Sequence, residues 1–257
     1  MVTTLVTGAT GTLGSELTPR LLEAGHDVRA ASRSPPDDDR DVEWVRLDVR
    51  DEKAVRNAVT DVDVVVHTAS APRGDSEAVD VNGTRRLVEQ AAAAEVENFL
   101  YVSIVGVDEI PFSYYDAKVT AEQAVEAGDV PWTILRATQF HSFVDEVLGS
   151  LARLPVLALP TKMKLQPVSS SEVADAIVDY AEPEPAGRVP DMGGPDVLTA
   201  REIATQYREV RGLRRPIVRL PVPGSMVQRF REGKATCPDQ TVGTITWRQW
   251  LERRYET

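Results

Sequence analysis

The sequence is sparing with cysteine, lysine, aromatic residues and long apolar runs, and each scarcity excludes something. Cys237 stands alone among 257 residues, which rules out an internal disulfide and fits a reducing compartment. Of the 29 basic residues only five are Lys; the other 24 are Arg, and they face 40 acidic residues for a net charge of −11. A chain so acidic offers no basic face for non-specific phosphate contacts, so no nucleic-acid partner is expected. The acidic balance fits a salt-rich, halophilic cytosol as well as an ordinary solvated acidic surface. Apolar runs such as "VLAL" (156–159) are short and flanked by proline, so no membrane-spanning helix is expected. Residues 1–30 lack the basic-then-apolar pattern of a signal peptide, and a cytoplasmic protein is expected. No Cys/His/carboxylate group has metal-ligand spacing, and no serine nucleophile elbow is found.

What is present is a rhythm. Strand-like "TTLVTG" leads into a helical pattern over residues 12–24 that ends at Gly25, and "DVRAAS" follows. Next come "VEWVRLD", a helical "DEKAVRNAV", the apolar "VDVVVHTA", and a long helical stretch over 75–96. "FLYVSIVG", a helix within "FSYYDAKVTAEQAV" and "WTILRAT" complete the first half. Near-continuous apolar strands alternating with helices predict a parallel sheet covered on both faces, a doubly wound α/β (Rossmann) fold. Beyond Thr138 the rhythm loosens. Ser169 with Glu172, Thr199 with Glu202, and Thr246 with Gln249 have capping-box spacing. One domain over 1–257 is expected, with a cofactor-binding core over 1–138 and mainly substrate-side, closing elements over 139–257. "PPDDDRD" (35–41) reads as a solvated loop, and Pro19 is expected to bend the first helix.

"LVTGATGTLG" places Gly8, Gly11 and Gly14 between the first strand and the first helix. Glycines there permit a tight turn and close backbone approach, and a helix N-terminus offers amides to a pyrophosphate. The spacing is G-x-x-G-x-x-G, so Thr10, Thr12 and Leu13 belong to the same loop. The second strand ends in Ser32 and Arg33 with no carboxylate before Asp37. Arg33 suits a 2′-phosphate, so NADP(H) is preferred over NAD(H), although a plain surface Arg has the same sequence signature. Tyr114 and Lys118 lie four apart on one helical face, and Ser113 with Asp116 has N-cap spacing. Tyr115 is the neighbouring alternative. His26 and His67 read as structural histidines. Gln139 and His141 follow the sixth strand, where an α/β sheet opens its carboxyl-end crevice; they are candidates for substrate contact.

"TGATGTLG", "LDVRD", "VVVHTAS", "VNGT", "YVSIVGVD", "YYDAK", "WTILRATQFH", "MGGPDVLTAREIA" and "TWRQWL" stand in this order along nearly the whole chain. In these motifs the chain resembles the atypical branch of the short-chain dehydrogenase/reductase superfamily, near its NmrA-like NAD(P)-binding members. The resemblance implies that Asp48 and Val49 contact adenine, and that Thr68, Ala69 and Ser70 line the ribose. Asn82 lies where a helical Asn often supports the site. Ser103 would bond the substrate carbonyl, Tyr114 would be the acid/base, and Lys118 would hold the nicotinamide ribose. Ala137, Thr138 and Phe140 would lie beside the nicotinamide, although the proline usual after that strand is absent. Free Tyr titrates near ~10, too high for efficient acid/base work at neutral pH, and a nearby ammonium is expected to lower it.

The function expected is an NADP-dependent oxidoreductase acting on a small carbonyl or quinone. Two alternatives stand beside it: an NmrA-like redox sensor without turnover, and a nucleotide-sugar epimerase or dehydratase. The partner is a small-molecule substrate; monomer and homodimer are both open.

Overall fold

The computed structural model describes residues 1–37 and 42–255. Residues 38–41, most of the acidic part of "PPDDDRD", lie outside the described residues.

The central sheet has seven strands. They are β1 (Thr3–Thr7), β2 (Asp27–Ser32), β3 (Glu43–Arg46), β4 (Val64–His67), β5 (Asn98–Ile104), β6 (Trp132–Ala137) and β9 (Gly187–Arg188). Their order is β3-β2-β1-β4-β5-β6-β9. The pairings of β1 with β2 and β4, of β2 with β3, of β4 with β5 and of β6 with β9 are all parallel. Moving outward from β1 in both directions gives the doubly wound topology expected from the apolar strands, with the strand order reversing between β1 and β4. Val64, Val65 and Val66 are wholly buried because both faces of that strand are covered.

The crossovers are α1 (Gly14–Glu23), α2 (Glu52–Ala58), α3 (Asn82–Ala93) and α4 (Ser113–Glu126). Asp51 caps α2 by accepting from the amides of Lys53 and Ala54. The stretch expected as one helix over 75–96 is interrupted. A π-helical turn, Glu77–Val81, precedes α3 and changes which side chains face the core. Such turns are rare and recur at functional sites. Helix α4 begins at Ser113 itself, so Ser113 is its first helical residue and not the residue before it.

By internal contacts the chain divides into two compact units. The first comprises Met1–Ser103, Ser113–Leu135 and Ala174–Val189; the second comprises Ile104–Phe112, Arg136–Val173 and Pro190–Thr257. The core of the first joins Leu5, Val65, Leu87, Phe99, Ala121 and Ile134, among others. The core of the second joins Leu148, Leu157, Ile203, Tyr207, Trp247 and Leu251. It is built on α5 (His141–Leu151), β7 (Leu157–Leu159), α7 (Ala200–Val210) and α9 (Trp247–Tyr255). Short strands β8 (Lys164–Leu165), β10 (Leu198–Thr199) and β11 (Ile217–Arg219), with helices α6 (Ser170–Val178) and α8 (Ser225–Glu232), complete the elements.

Two of the three expected capping boxes form. Thr199 and Glu202 close one at the start of α7. Thr246 and Gln249 exchange bonds of 3.0 and 3.2 Å before α9. The third does not: Glu172 turns away to the 244–245 backbone, accepting from the Thr244 amide at 2.6 Å and the Ile245 amide at 3.1 Å. Ser169 bonds Ser171 instead. Two unpaired loop amides compete better for a carboxylate than the single amide of a cap.

Candidate functional site

The glycine loop leaves β1 at Gly8, whose φ of +71° suits glycine. A Cβ there would come within 2.8 Å of the Ala69 backbone, so the loop and the end of β4 meet at bare-backbone distance. At Gly14 a Cβ would stand 2.3 Å from the Gly8 carbonyl oxygen. Gly11 closes the turn, its amide bonding Gly8 O at 2.8 Å, while Thr12 is exposed and Leu13 buried. Helix α1 begins with no side-chain cap on its N-terminus. A cradle that only glycine fits, ahead of an uncapped helix start at the sheet's reversal point, is what a dinucleotide pyrophosphate requires.

The rest of this crevice is laid out by strand ends. Thr10 Oγ1 lies 2.9 Å from Ser32 Oγ, tying the loop to the end of β2. Arg33 follows, exposed. Asp48 is clasped by Arg50, with Nε at 2.9 Å from Oδ1, and its carboxyl is held down to about 2, chiefly by that bond and in part by Arg33. Val49 is buried, and its carbonyl accepts from Arg86 at 2.7 Å. Thr68 Oγ1 returns to Thr7 O at 2.7 Å. The Asn82 amide nitrogen lies 3.5 Å from Glu77 Oε1, and Arg85 donates to its oxygen at 3.1 Å.

Below the crevice is a polar cluster in the first unit. Tyr114 Oη stands 2.6 Å from Ser70 Oγ. Ser70 Oγ donates to Asp80 Oδ1 at 2.5 Å, and the Ala71 amide donates to Asp80 Oδ2 at 3.0 Å. Lys118 is buried too. Its ammonium donates to Val102 O at 3.0 Å, lies 4.0 Å from Asp80 Oδ1, and sits 4.3 Å above the Tyr101 ring. Burial lowers the Lys118 pKa to about 8 against the opposing pull of Asp80 and Glu122. Ser103 Oγ is buried with no hydrogen-bond partner among the described residues. Tyr115 is buried with its ring 6.2 Å from that of Tyr114, so the half-buried Tyr114 is the one that reaches Ser70.

One expectation reverses here. Tyr114 is not brought down by Lys118: burial and the Asp80 carboxylate raise its pKa above the ordinary value of 10, and the Ser70 bond opposes them. Lys118 is held by Val102 O and faces Asp80, and burial is the largest cause of the rise at the phenol.

His26 and His67 have partners in the first unit. His26 Nδ1 lies 2.9 Å from Thr4 Oγ1; His67 is held by Thr7 at 2.6 Å and Thr84 at 3.0 Å. The residues after β6 fall in the second unit. There Ala137 pairs with Met192, Thr138 bonds Met192 O and Gln166 O, and Phe140 pairs with Val168. His141 opens α5 with its ring 5.7 Å from those of both Trp247 and Trp250, and burial lowers its pKa to about 4. Both side-chain polar atoms of Gln139 are buried without a partner among the described residues. No group of His, Cys, Asp or Glu that could hold a metal occurs among the described residues. No helix among them is long and apolar enough to cross a membrane.

Sequence reasoning missed Asp80, although a signal was there. Asp80 lies on the stripe continued by Thr84, Leu87, Val88 and Ala91, all buried. A carboxylate on the apolar face of a helix is costly unless it is paired, and so marks a built site.

Fold and cradle together define a dinucleotide-binding α/β protein. The NAD(P)H-binding family model matches residues 8–184. The chain belongs to that NAD(P)H-binding family. It is 31% identical over 229 residues to an uncharacterised protein of Mycobacterium tuberculosis, covering 85% of this chain and 24% of the relative. The chain thus spans about a quarter of the length of the first curated relatives it matches. It is also 31% identical over 215 residues to (4-alkanoyl-5-oxo-2,5-dihydrofuran-3-yl)methyl phosphate reductase of Streptomyces griseus, covering 81% of this chain and 73% of that one. Among solved structures it resembles an NADPH-dependent quinone oxidoreductase of Escherichia coli in complex with NADPH. That match has a TM-score of 0.81 at 17% identity, over 98% of this chain and 99% of that one. The Bordetella bronchiseptica enzyme WbmH in complex with NAD+ matches with a TM-score of 0.73 at 18% identity, over 86% of each chain.

Proposed function

We propose that the chain is a cytoplasmic NADP(H)-dependent oxidoreductase that interconverts a small carbonyl or quinone with its alcohol or quinol. The observation that carries this reading is the cluster itself: a half-buried phenol bonded through a serine to a buried carboxylate, beside a buried lysine. Gly8, Gly11 and Gly14 would hold the pyrophosphate, and Arg33 would meet the 2′-phosphate. Thr68, Ala69 and Ser70 would line the ribose, and Asp48 and Val49 the adenine. The cofactor would supply the hydride; the chain supplies position and protons. Ser103, buried and without a hydrogen-bond partner among the described residues, is suited to donate to the carbonyl oxygen. Tyr114, kept in its acid form by burial and by Asp80, is suited to protonate that oxygen as charge develops on it. The 31% identical Streptomyces relative that is named a reductase supports the same class.

A second reading has its own observation. Lys118 is bound to Val102 O and faces Asp80, an arrangement equally suited to a redox sensor that binds the nucleotide without turnover. A screen of NADPH oxidation over quinones, aldehydes and ketones, run beside Tyr114→Phe, separates the two. Turnover that falls at least ~100-fold in the variant supports the enzyme. Tight NADPH binding with no turnover of any substrate supports the sensor.

A further inference from the structure

Asp80 occupies a position that hydride transfer alone does not require. Its carboxylate has no solvent exposure, it sits in the π-helical turn Glu77–Val81, and it receives Ser70 Oγ and the Ala71 amide. Charge is costly to bury, and here it is retained beside an equally buried ammonium. The direction of the hydrogen bonds follows from chemistry. Ser70 has one proton, and at 2.5 Å that proton goes to Asp80, which as a carboxylate only accepts. In the 2.6 Å contact Tyr114 is therefore the donor and Ser70 the acceptor. The three groups form one directed chain, Tyr114 Oη–H to Ser70 Oγ–H to Asp80 Oδ1.

We propose that Asp80, acting through Ser70, is the proton reservoir of Tyr114. This rests on the oxidoreductase reading and deepens it. In the oxidation direction the substrate hydroxyl gives its proton to Tyr114 Oη, Tyr114 passes its own to Ser70, and Ser70 passes its own to Asp80. The C–H bond would break as the bound cofactor takes the hydride, the C=O bond would form, and Asp80 would end as the carboxylic acid. Reduction is the reverse and starts once water, through the exposed Ser70, has given Asp80 a proton: that proton moves to Ser70, the Ser70 proton to Tyr114, and the Tyr114 proton to the oxygen of the carbonyl. Ser70 is exposed, so the chain exchanges its proton with water there. The charged and titratable groups around the reservoir are Lys118 and Tyr114 from α4 and Tyr101 from β5, with Glu122 one turn beyond Lys118. Lys118 balances the charge of Asp80 at the start of oxidation, and no second carboxylate is within reach of Ser70 among the hydrogen bonds described. Ser70 and Asp80 are thus positioning and relay residues; Tyr114 remains the group that touches substrate.

Two readouts test the relay. The first needs neither substrate nor cofactor: the 13Cζ resonance of Tyr114, assigned by its loss in Tyr114→Phe, is followed in Asp80→Asn, in Ser70→Ala and in the double variant. The relay requires Asp80→Asn to shift this resonance, and requires that response to shrink at least ~3-fold in the Ser70→Ala background. An equal response in both backgrounds means that Asp80 acts through space alone, and overturns the relay. The second readout is turnover at saturating NADPH. Ser70→Ala and Asp80→Asn should each lower kcat ~10- to 100-fold, the double variant should be no slower than the slower single, and Ser70→Thr should recover most of the loss. Losses that multiply, or single variants with undiminished kcat, overturn it. Ser70 is exposed, so its variants serve even where Asp80→Asn fails to fold. Full turnover in Ser70→Ala with none in Tyr114→Phe removes the relay and leaves the oxidoreductase. Undiminished turnover in Tyr114→Phe removes the oxidoreductase reading as stated here.

Discussion

Tyr114 Oη lies 2.6 Å from Ser70 Oγ, and the proton of Ser70 is committed to Asp80. The phenol therefore points its hydrogen at a serine and its second lone pair elsewhere. Two tyrosines stand side by side in "SYYDAK", and only the first has this partner. Tyr114→Phe should remove turnover, whereas Tyr115→Phe, which deletes a hydroxyl from a buried ring, should keep kcat within about threefold and cost about 1 kcal/mol of stability. Because burial and Asp80 raise the Tyr114 pKa, ionisation of this phenol should not weaken reduction below pH 10. A reduction rate that falls with an ionisation assigned to Tyr114 near neutrality, by its absence in Tyr114→Phe, would contradict this.

Gly8 and Gly25 share a positive φ and differ in what surrounds them. At Gly8 a Cβ would strike the Ala69 backbone at 2.8 Å, whereas at Gly25 nothing lies within 4 Å. Alanine at either position pays for the left-handed backbone, about 1–3 kcal/mol by chemical denaturation. Only Gly8→Ala should also lower NADPH affinity, by tenfold or more, since it spreads the loop from the end of β4. Equal affinities in the two variants, measured by nicotinamide fluorescence, would detach the glycine loop from the cofactor.

Arg33 ends β2 with its side chain exposed and near enough to Asp48 to lower that carboxyl. A charge-assisted bond to a 2′-phosphate is worth about 1.5–3 kcal/mol, and 1.4 kcal/mol is tenfold in affinity. Arg33→Asp should weaken NADPH binding roughly 10- to 100-fold while leaving NADH within about threefold. Parallel losses for both nucleotides would end the assignment of NADP preference to this residue.

Most of the sheet was legible because its strands are buried on both faces and read as apolar runs. "VDVVVHTA" needs no tertiary information to be recognised, and β4 lies where the run does. The glycine loop was legible for a similar reason, since spacing and position together state a backbone requirement. Other features depend on which of two partners wins. Glu172 had the spacing of a cap but met two loop amides 72 and 73 positions away, and no local pattern reports such a competitor. Tyr114 had its lysine at helical spacing, yet its pKa follows burial first and then a carboxylate 34 positions earlier, in a π-helical turn. The helical spacing of Asp80 with Thr84, Leu87, Val88 and Ala91 marks a buried carboxylate, but spacing along one helix does not name Ser70 as its partner.

His67 gives the clearest pH dependence. It is buried between Thr7 and Thr84, and burial, with a smaller contribution from Lys118, lowers its pKa from 6.5 to about 3. Between those values the unfolded chain binds a proton that the folded chain refuses. Stability therefore rises with pH across this window, is fully present above pH 6.5, and is lost as the pH falls towards 3. Each pH unit is worth at most about 1.4 kcal/mol from this one group. His67→Gln should cost about 1–3 kcal/mol at pH 7, where a well-bonded ring is lost. The same variant should lose less than the parent between pH 7 and pH 5, by up to about 2 kcal/mol in urea unfolding. Identical pH slopes in parent and variant would show that His67 does not carry the acid sensitivity of the fold.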